Sequence, residues 1–178
     1  RNLLKTNKVH FITDELGLTD RLIYEGTSFE EIKKIIANVK LHPFVNTEQD
    51  MALGQAHSPG MMHKHYAPKA EVILVEGSVS AITSIVKEIA EEYRLKGAKL
   101  GILAIDETQK EYAANVIKSM GSRGNLETVA KNLFSRLREF DSEDVDVIIA
   151  EGVPVQGLGL AVMNRLRKAS GYHIIKAD

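Results

Sequence analysis

From residue 70 onward, short runs of apolar residues alternate with longer segments in which apolar residues recur every three or four positions. The apolar runs cover residues 72–75, 100–105 and 145–150 and contain almost no polar side chain. Runs of this length and composition are typical of strands that are covered on both faces of a sheet. The sequence therefore predicts three buried strands, with a further terminal strand over residues 172–175.

The segments between these strands have the period of amphipathic helices. The first is expected to end at Gly97, the second covers residues 108–121, the third follows Asn125, and the fourth follows Gly157. Strands and helices alternate throughout, which favours parallel pairing with right-handed crossovers. We predict a Rossmann-like α/β domain with a mainly parallel sheet and helices on both faces.

The first 46 residues have a weaker pattern. Short strands are predicted at 9–13 and 21–24, followed by a helix with Ser28 as its N-cap that ends at Pro43. So few elements can hardly enclose a core by themselves. We predict three parts: a small N-terminal remnant over 1–46, a long linker over 47–70, and the Rossmann-like domain over 71–178.

The end of the predicted linker, residues 58–68, reads S-P-G-M-M-H-K-H-Y-A-P. Pro59 and Pro68 disfavour a regular helix, and Gly60 allows a tight turn, so an ordered loop is expected. From the residues alone, two interpretations stay open. The loop is a tether between domains, or His65 and Tyr66 pack over a phosphate or nucleobase and hydrogen-bond to it.

This loop resembles a known family. The pattern S-P-G-M-x-x-x-H-Y-A-P is similar to the interdomain linker of the two-domain threonylcarbamoyl-AMP synthases. The run G-L-G-L-A-V-M-N-R-L-R-K-A at residues 157–169 resembles a second hallmark of the same family. The two patterns occur in the family's order, with a segment of domain size between them. The resemblance covers the chain from about residue 58 onward.

The resemblance implies an activity for the enzyme to which such a segment belongs. In the family, a YrdC-like catalytic domain joins threonine, bicarbonate and ATP into threonylcarbamoyl-AMP and releases pyrophosphate, and the product is used to make threonylcarbamoyladenosine in tRNA. The implied class is a nucleotidyltransferase, with ATP and magnesium bound in the YrdC-like partner domain and tRNA involved indirectly. The linker is implied to enclose ATP and threonine through Ser58, Gly60, Met61, His65, Tyr66 and Pro68.

The catalytic domain itself is nearly absent from the sequence. Residues 23–32 have the general shape of its last strand, turn and helix, although the family's Arg-Pro pair is replaced by Tyr24 and Glu25. Because the chain begins with Arg1 rather than methionine, we expect further residues upstream. We expect this chain alone to be inactive, to bind no cofactor, and to depend on a catalytic domain that is missing or supplied separately.

A second candidate site lies at the start of the fourth predicted helix. Positions after a buried strand hold anions in many α/β sheets, which makes Gly157, Gly159, Asn164 and Arg165 candidates for a ligand site. The glycines also suit simple close packing, and the polar side chains also suit a solvated helix face. The first strand is followed by a single glycine, Gly77, so a dinucleotide fingerprint is missing there.

Composition narrows the function classes. The net charge of −1 provides no basic field for nucleic-acid binding, and an apolar fraction of 44% allows a real core. No cysteine is present, and the loop histidines lack the ligand number of a structural zinc site, so no metal site is predicted. No membrane span or signal peptide is visible, and a soluble cytoplasmic protein is expected. The alternative to an enzyme part is a non-catalytic regulatory or interaction module that binds a nucleotide or a protein partner.

Overall fold

The computed structural model describes residues 9–12, 21–24, 30, 33–34 and 68–177. The chain divides into two compact units, Arg1–Gln55 and Ala56–Asp178. In the first unit, β1 (Val9–Ile12) pairs antiparallel with β2 (Arg21–Tyr24). These are the two short strands that the sequence predicts. The helix predicted after Ser28 falls largely outside the described residues, although Glu30 is helical.

The second unit contains a five-stranded sheet in which every described pairing is parallel. This confirms the predicted α/β class with a parallel sheet. The order across the sheet is β5-β4-β6-β3-β7. Its strands are β3 (Glu71–Gly77), β4 (Leu100–Ala104), β5 (Val116–Ser119), β6 (Val147–Glu151) and β7 (Ile174–Ala177).

Three helices cover the two faces of the sheet. Helix α1 (Val79–Leu95) follows β3, helix α2 (Leu126–Asp141) follows β5, and helix α3 (Leu158–Ala169) follows β6. The chain runs towards one edge of the sheet after β3 and towards the other edge after β5 and β6. Right-handed crossovers in opposite directions place α1 on one face and both α2 and α3 on the other.

The central strands are apolar on both sides because both faces are covered. In β3, Val72 and Leu74 pack with residues of α2 and α3, whereas Ile73 and Val75 pack with residues of α1. All four side chains are at most 3% exposed. This alternation explains why the strand appears in the sequence as a continuous apolar run rather than an alternating one.

The helix predicted over residues 108–121 is wrong. That segment forms a short 3₁₀ turn (Gln109–Glu111) and then strand β5, which pairs with β4. The Thr108 hydroxyl, expected to cap a helix, instead donates to the Glu151 carboxylate at 2.6 Å. The β-branched Val116 and Ile117 fit an edge strand well, and pairing with β4 outweighs the helical spacing of the apolar residues.

The other helices of this unit lie where the sequence placed them. The Ser78 hydroxyl accepts a hydrogen bond from the Ala81 N–H at 3.3 Å and so caps α1, and Gly97 takes a positive φ of 74° just after its end. Asn125 is the N-cap residue of α2, but its side chain makes no capping hydrogen bond. Within the described ranges, no helix is long and apolar enough to cross a membrane.

Candidate functional site

The predicted loop site has one residue in the described part of the chain. Pro68 is half-buried and stands three residues before β3, whereas Ser58, Gly60, Met61, His65 and Tyr66 lie outside the described residues. The next residue, Lys69, donates its backbone N–H to the Asp141 carboxylate at 2.7 Å. This bond fixes the chain to the C-terminal end of α2 just before β3 begins.

The carboxyl ends of the strands form the edge at which α/β sheets usually bind ligands. After β4 the chain continues to the β5 edge, and after β6 it continues towards the opposite edge. The crevice between the ends of β4 and β6 is therefore the topological switch point of the sheet. An anion at this point is normally held by backbone N–H groups.

In this protein the crevice is filled by a carboxylate of the chain itself. Glu151, the last residue of β6, is 0% exposed and accepts hydrogen bonds of 2.6 Å from the Ile105 N–H, the Thr108 hydroxyl and the Tyr112 hydroxyl. Three donors satisfy the charge without an external ligand. The filled crevice gives a physical reason not to expect a phosphate at this position.

Tyr112 is held as a permanent donor in this cluster. Burial, together with the hydrogen bond to Glu151, raises the pKa of the Tyr112 phenol well above its usual value. The hydroxyl therefore keeps its proton throughout the physiological pH range. Its role is to hold the 3₁₀ turn against the end of β6.

A second buried carboxylate lies one residue before the end of the neighbouring strand, β3. Glu76 accepts hydrogen bonds from Arg167 Nε at 2.7 Å and Nη2 at 2.9 Å, and it also pairs with Lys176. Burial by itself raises the pKa of Glu76, but the hydrogen bonds and charges of Arg167 and Lys176 outweigh burial, so the pKa lies below its usual value. Through these contacts Glu76 connects β3 to α3 at Arg167 and to β7 at Lys176.

These two carboxylates were missed in the sequence, although a signal was present. Each is a glutamate that closes an apolar run and stands directly before a glycine, at Glu76-Gly77 and Glu151-Gly152. A charged residue at the end of a buried strand is rare unless it is paired. The repeated Glu-Gly pattern therefore indicates two buried glutamates at the carboxyl ends of strands, each of which needs an ion-pair or hydrogen-bond partner.

The four residues of the second candidate site do not all lie at the start of α3. Gly157 and Gly159 stand at the helix start, where Gly159 passes so close to Pro154 that an added Cβ would lie 1.8 Å from its carbonyl oxygen. Asn164 and Arg165 lie further along the same helix, and the Arg165 guanidinium is 6.0 Å from the centre of the Phe134 ring. The structure thus gives Gly159 a packing role. That these four residues bind a ligand stays a prediction.

A third loop at the same edge joins β5 to α2. The carboxylate of Glu107, which follows β4, accepts hydrogen bonds from the Ser122 hydroxyl at 2.6 Å and the Arg123 N–H at 2.9 Å. Burial raises the pKa of Glu107, but the hydrogen bonds from the Ser122 hydroxyl and from nearby backbone N–H groups together outweigh burial, so the pKa lies below its usual value. Within the described ranges, no group of three or more acidic or histidine side chains could hold a metal ion.

Comparison with known proteins identifies the family. Residues 27–171 match the family described as threonylcarbamoyl-AMP synthase, C-terminal domain. The chain belongs to this family. The match includes the whole of the 58–68 segment and strands β3 to β6 of the parallel sheet, and it confirms the resemblance seen in the sequence.

Curated members of the family share clear sequence identity with the chain. It is 44% identical to threonylcarbamoyl-AMP synthase from Pyrococcus abyssi over 151 residues, which cover 85% of this chain and 42% of that protein. The corresponding protein of Bacillus subtilis is 38% identical, with 85% and 41% covered, and that of Schizosaccharomyces pombe is 33% identical, with 82% and 37% covered. The chain thus spans about two fifths of the length of these relatives.

Solved structures show the same fold. The crystal structure of P. abyssi Sua5 complexed with L-threonine matches with a TM-score of 0.72 and 43% identity, covering 86% of this chain and 42% of that one. A structure of the P. abyssi protein in which an adjacent histidine and tyrosine are replaced by alanine matches with a TM-score of 0.71 at 42% identity, with 85% and 41% covered. The C-terminal Sua5 domain from Pyrococcus horikoshii matches with a TM-score of 0.52 and 47% identity over 62% of this chain and 100% of that one.

Proposed function

We propose that this chain supplies the linker and C-terminal domain of an L-threonylcarbamoyladenylate synthase. The complete enzyme joins threonine, bicarbonate and ATP into threonylcarbamoyl-AMP and pyrophosphate, for threonylcarbamoyladenosine formation in tRNA. The observation that carries the proposal is the family match over residues 27–171, which contains the characteristic loop and most of the α/β domain. The names of three relatives from different organisms support the same reaction.

The catalytic chemistry belongs to the part of the enzyme that this chain does not contain. The relatives are more than twice as long as the matched segment, which leaves room for a YrdC-like domain that binds ATP, with its magnesium ion, and threonine. The P. abyssi protein has been solved with L-threonine, which supports threonine as a substrate of the complete enzyme. We place the enzyme in the cytoplasm and give tRNA only an indirect role.

We further propose that the 58–68 loop acts as a lid over that active site, with Ser58, Gly60, Met61, His65, Tyr66 and Pro68 as its working residues. A carbamate breaks down readily in water, so a loop that excludes solvent protects the intermediate and the product. The order His-Tyr occurs once in this chain, at His65 and Tyr66. That an adjacent histidine and tyrosine were replaced together in the P. abyssi protein supports a functional role for such a pair.

The division of labour is tested by an assay of pyrophosphate release from ATP. The complete protein that contains this chain is expected to release pyrophosphate only when threonine and bicarbonate are both present, whereas the 178-residue chain alone releases none above background. The P. abyssi enzyme, assayed in parallel, serves as the positive control. Threonine- and bicarbonate-dependent release by the 178-residue chain would contradict the proposed division of labour. Absence of such release from the complete protein would contradict the proposed reaction.

A further inference from the structure

Arg123 lies in the loop between β5 and α2, at the carboxyl end of the sheet. Its backbone N–H donates to Glu107, and its side chain donates from Nη1 to the Gly152 carbonyl at 3.3 Å. The guanidinium is thereby directed towards the segment that follows β6. Arg123 thus links the loops that follow β4, β5 and β6.

The remaining side-chain donors of Arg123 are unusual. Nε and Nη2 each expose less than 1 Å² to solvent, and neither has a hydrogen-bond partner among the residues that the structure describes. Buried polar groups in folded proteins nearly always have one, and each exception calls for an explanation. Burying the N–H donors of a charged group without acceptors is costly, which makes these two nitrogens stand out.

The protein itself shows what these two nitrogens are suited to bind. Arg167 uses Nε and Nη2 together to hold the carboxylate of Glu76, at 2.7 and 2.9 Å. Arg94 uses the same two nitrogens to hold the carboxylate of Glu91, at 2.7 and 2.6 Å. Two parallel N–H groups on one edge of a guanidinium match the spacing of two oxygens on a carboxylate or phosphate. Arg123 presents the same edge with no acceptor in the described part of the chain.

The neighbouring acidic groups are already occupied by other donors. Glu107 is held by the Ser122 hydroxyl and by the backbone N–H of Arg123, and Glu151 is held by Ile105, Thr108 and Tyr112. Neither carboxylate is bound to the Arg123 side chain. An acceptor for Nε and Nη2 therefore has to come from outside this cluster.

We propose that Arg123 is the anchor of an oxyanion-binding site at the carboxyl end of the sheet. The site takes a carboxylate or phosphate group of a small molecule, which accepts two hydrogen bonds from Nε and Nη2. Both nitrogens are covered in the structure, so binding of the ligand requires a local movement around the Arg123 side chain. This goes beyond the proposed function, because it assigns the C-terminal domain a ligand of its own.

The test observes the Arg123 Nε–H group directly. The ¹⁵N-labelled 178-residue chain is titrated with inorganic phosphate, pyrophosphate and succinate at constant ionic strength, and arginine Nε–H signals are followed by NMR. The Nε–H signal of Arg123 is assigned by its correlations to the other atoms of the same side chain. We expect this signal to shift saturably with at least one of the three probes. The probe that binds distinguishes a phosphate from a diphosphate or a carboxylate ligand. If no probe shifts this signal, the proposal is wrong.

Two variants provide the matched comparison. Arg123→Lys keeps the charge but loses the paired donors, and it is expected to weaken binding of the active probe at least about tenfold in calorimetry. Arg138→Lys changes an exposed arginine on α2 and is expected to leave the affinity unchanged. Equal affinity of Arg123→Lys and the unaltered chain would overturn the proposal. The experiment needs no catalytic domain, so a negative result leaves the proposed synthase function untouched.

Discussion

The hydroxyl of Tyr112 donates a 2.6 Å hydrogen bond to Glu151, and the two side chains are 7% and 0% exposed. The bond joins the 3₁₀ turn after β4 to the end of β6, across the crevice where α/β proteins commonly hold a ligand. A tyrosine in the connection between β4 and β5 thus helps the chain to close its own switch point.

Removing this hydroxyl should weaken the domain. Tyr112→Phe leaves a buried carboxylate with one donor fewer, and loss of a hydrogen bond to a charged group costs about 1.5–3 kcal/mol. Urea unfolding of the 178-residue chain measures the change in the free energy of unfolding. Tyr93→Phe, at a partly exposed position on α1, is the control and should change that free energy by less than about 0.5 kcal/mol. Equal stability of the two variants would show that the Tyr112 bond contributes nothing.

The buried ion pair of Glu76 and Arg167 should make stability depend on pH in acid. The pKa of Glu76 in the folded protein lies below its usual value of 4.5, so the unfolded chain takes up this proton first as the pH falls. The stabilisation is therefore complete well above pH 4.5 and is lost as the pH falls below it. Glu76→Gln should be less stable than the unaltered chain at pH 7, by about 1.5–3 kcal/mol.

The diagnostic result is how this difference changes with pH. The gap between Glu76→Gln and the unaltered chain should shrink as unfolding is measured at successively lower pH. Glu91→Gln removes an equally bidentate but exposed pair with Arg94 and should have little effect at any pH. A gap for Glu76→Gln that stays constant from pH 7 to strong acid would contradict this account of the pair.

The two glycines at the start of α3 should respond differently to alanine. In Gly159→Ala the new Cβ meets the Pro154 carbonyl oxygen at 1.8 Å, so backbone has to move, and overpacking of this kind costs about 1–3 kcal/mol or more. Gly157 has open space around it, but its φ of 55° and ψ of −127° form a conformation that favours glycine, so Gly157→Ala carries backbone strain of about 1–3 kcal/mol without a steric clash. Urea unfolding of both variants should rank Gly159→Ala as the less stable. The reverse ranking would contradict the packing role of Gly159.

Much of the fold could be predicted from the sequence because burial leaves a direct mark on it. The runs that became β3, β4 and β6 are apolar because both faces of the sheet are covered, and the stripes of α1 and α2 have the helical period. Strand β5 was missed because four residues at a sheet edge carry little pattern. The apolar residues before Gly121 happen to have helical spacing, and only the pairing with β4 decides between the two structures.

The strand order and the partners in the buried polar cluster could not be predicted from the sequence, for a different reason. That β6 lies between β4 and β3 depends on long-range packing, and local propensity carries no information about it. The partners of Glu151 come from a neighbouring segment some forty residues earlier in the chain. The Glu-Gly pattern shows that such a carboxylate needs partners, but it does not identify Tyr112 as one of them.

The central claim, that the 58–68 loop closes the active site of a threonylcarbamoyl-AMP synthase, is tested most directly by steady-state kinetics of the complete enzyme. Tyr66→Phe removes a hydroxyl and His65→Ala removes an imidazole, and Arg138→Lys on α2 is the control. The account predicts a lower rate of pyrophosphate release or a changed dependence on ATP and threonine for both loop variants, with a stability change in the 178-residue chain of about 0.5 kcal/mol or less. Full activity of both loop variants with unchanged ATP and threonine dependence would contradict it, and the loop would then be a tether.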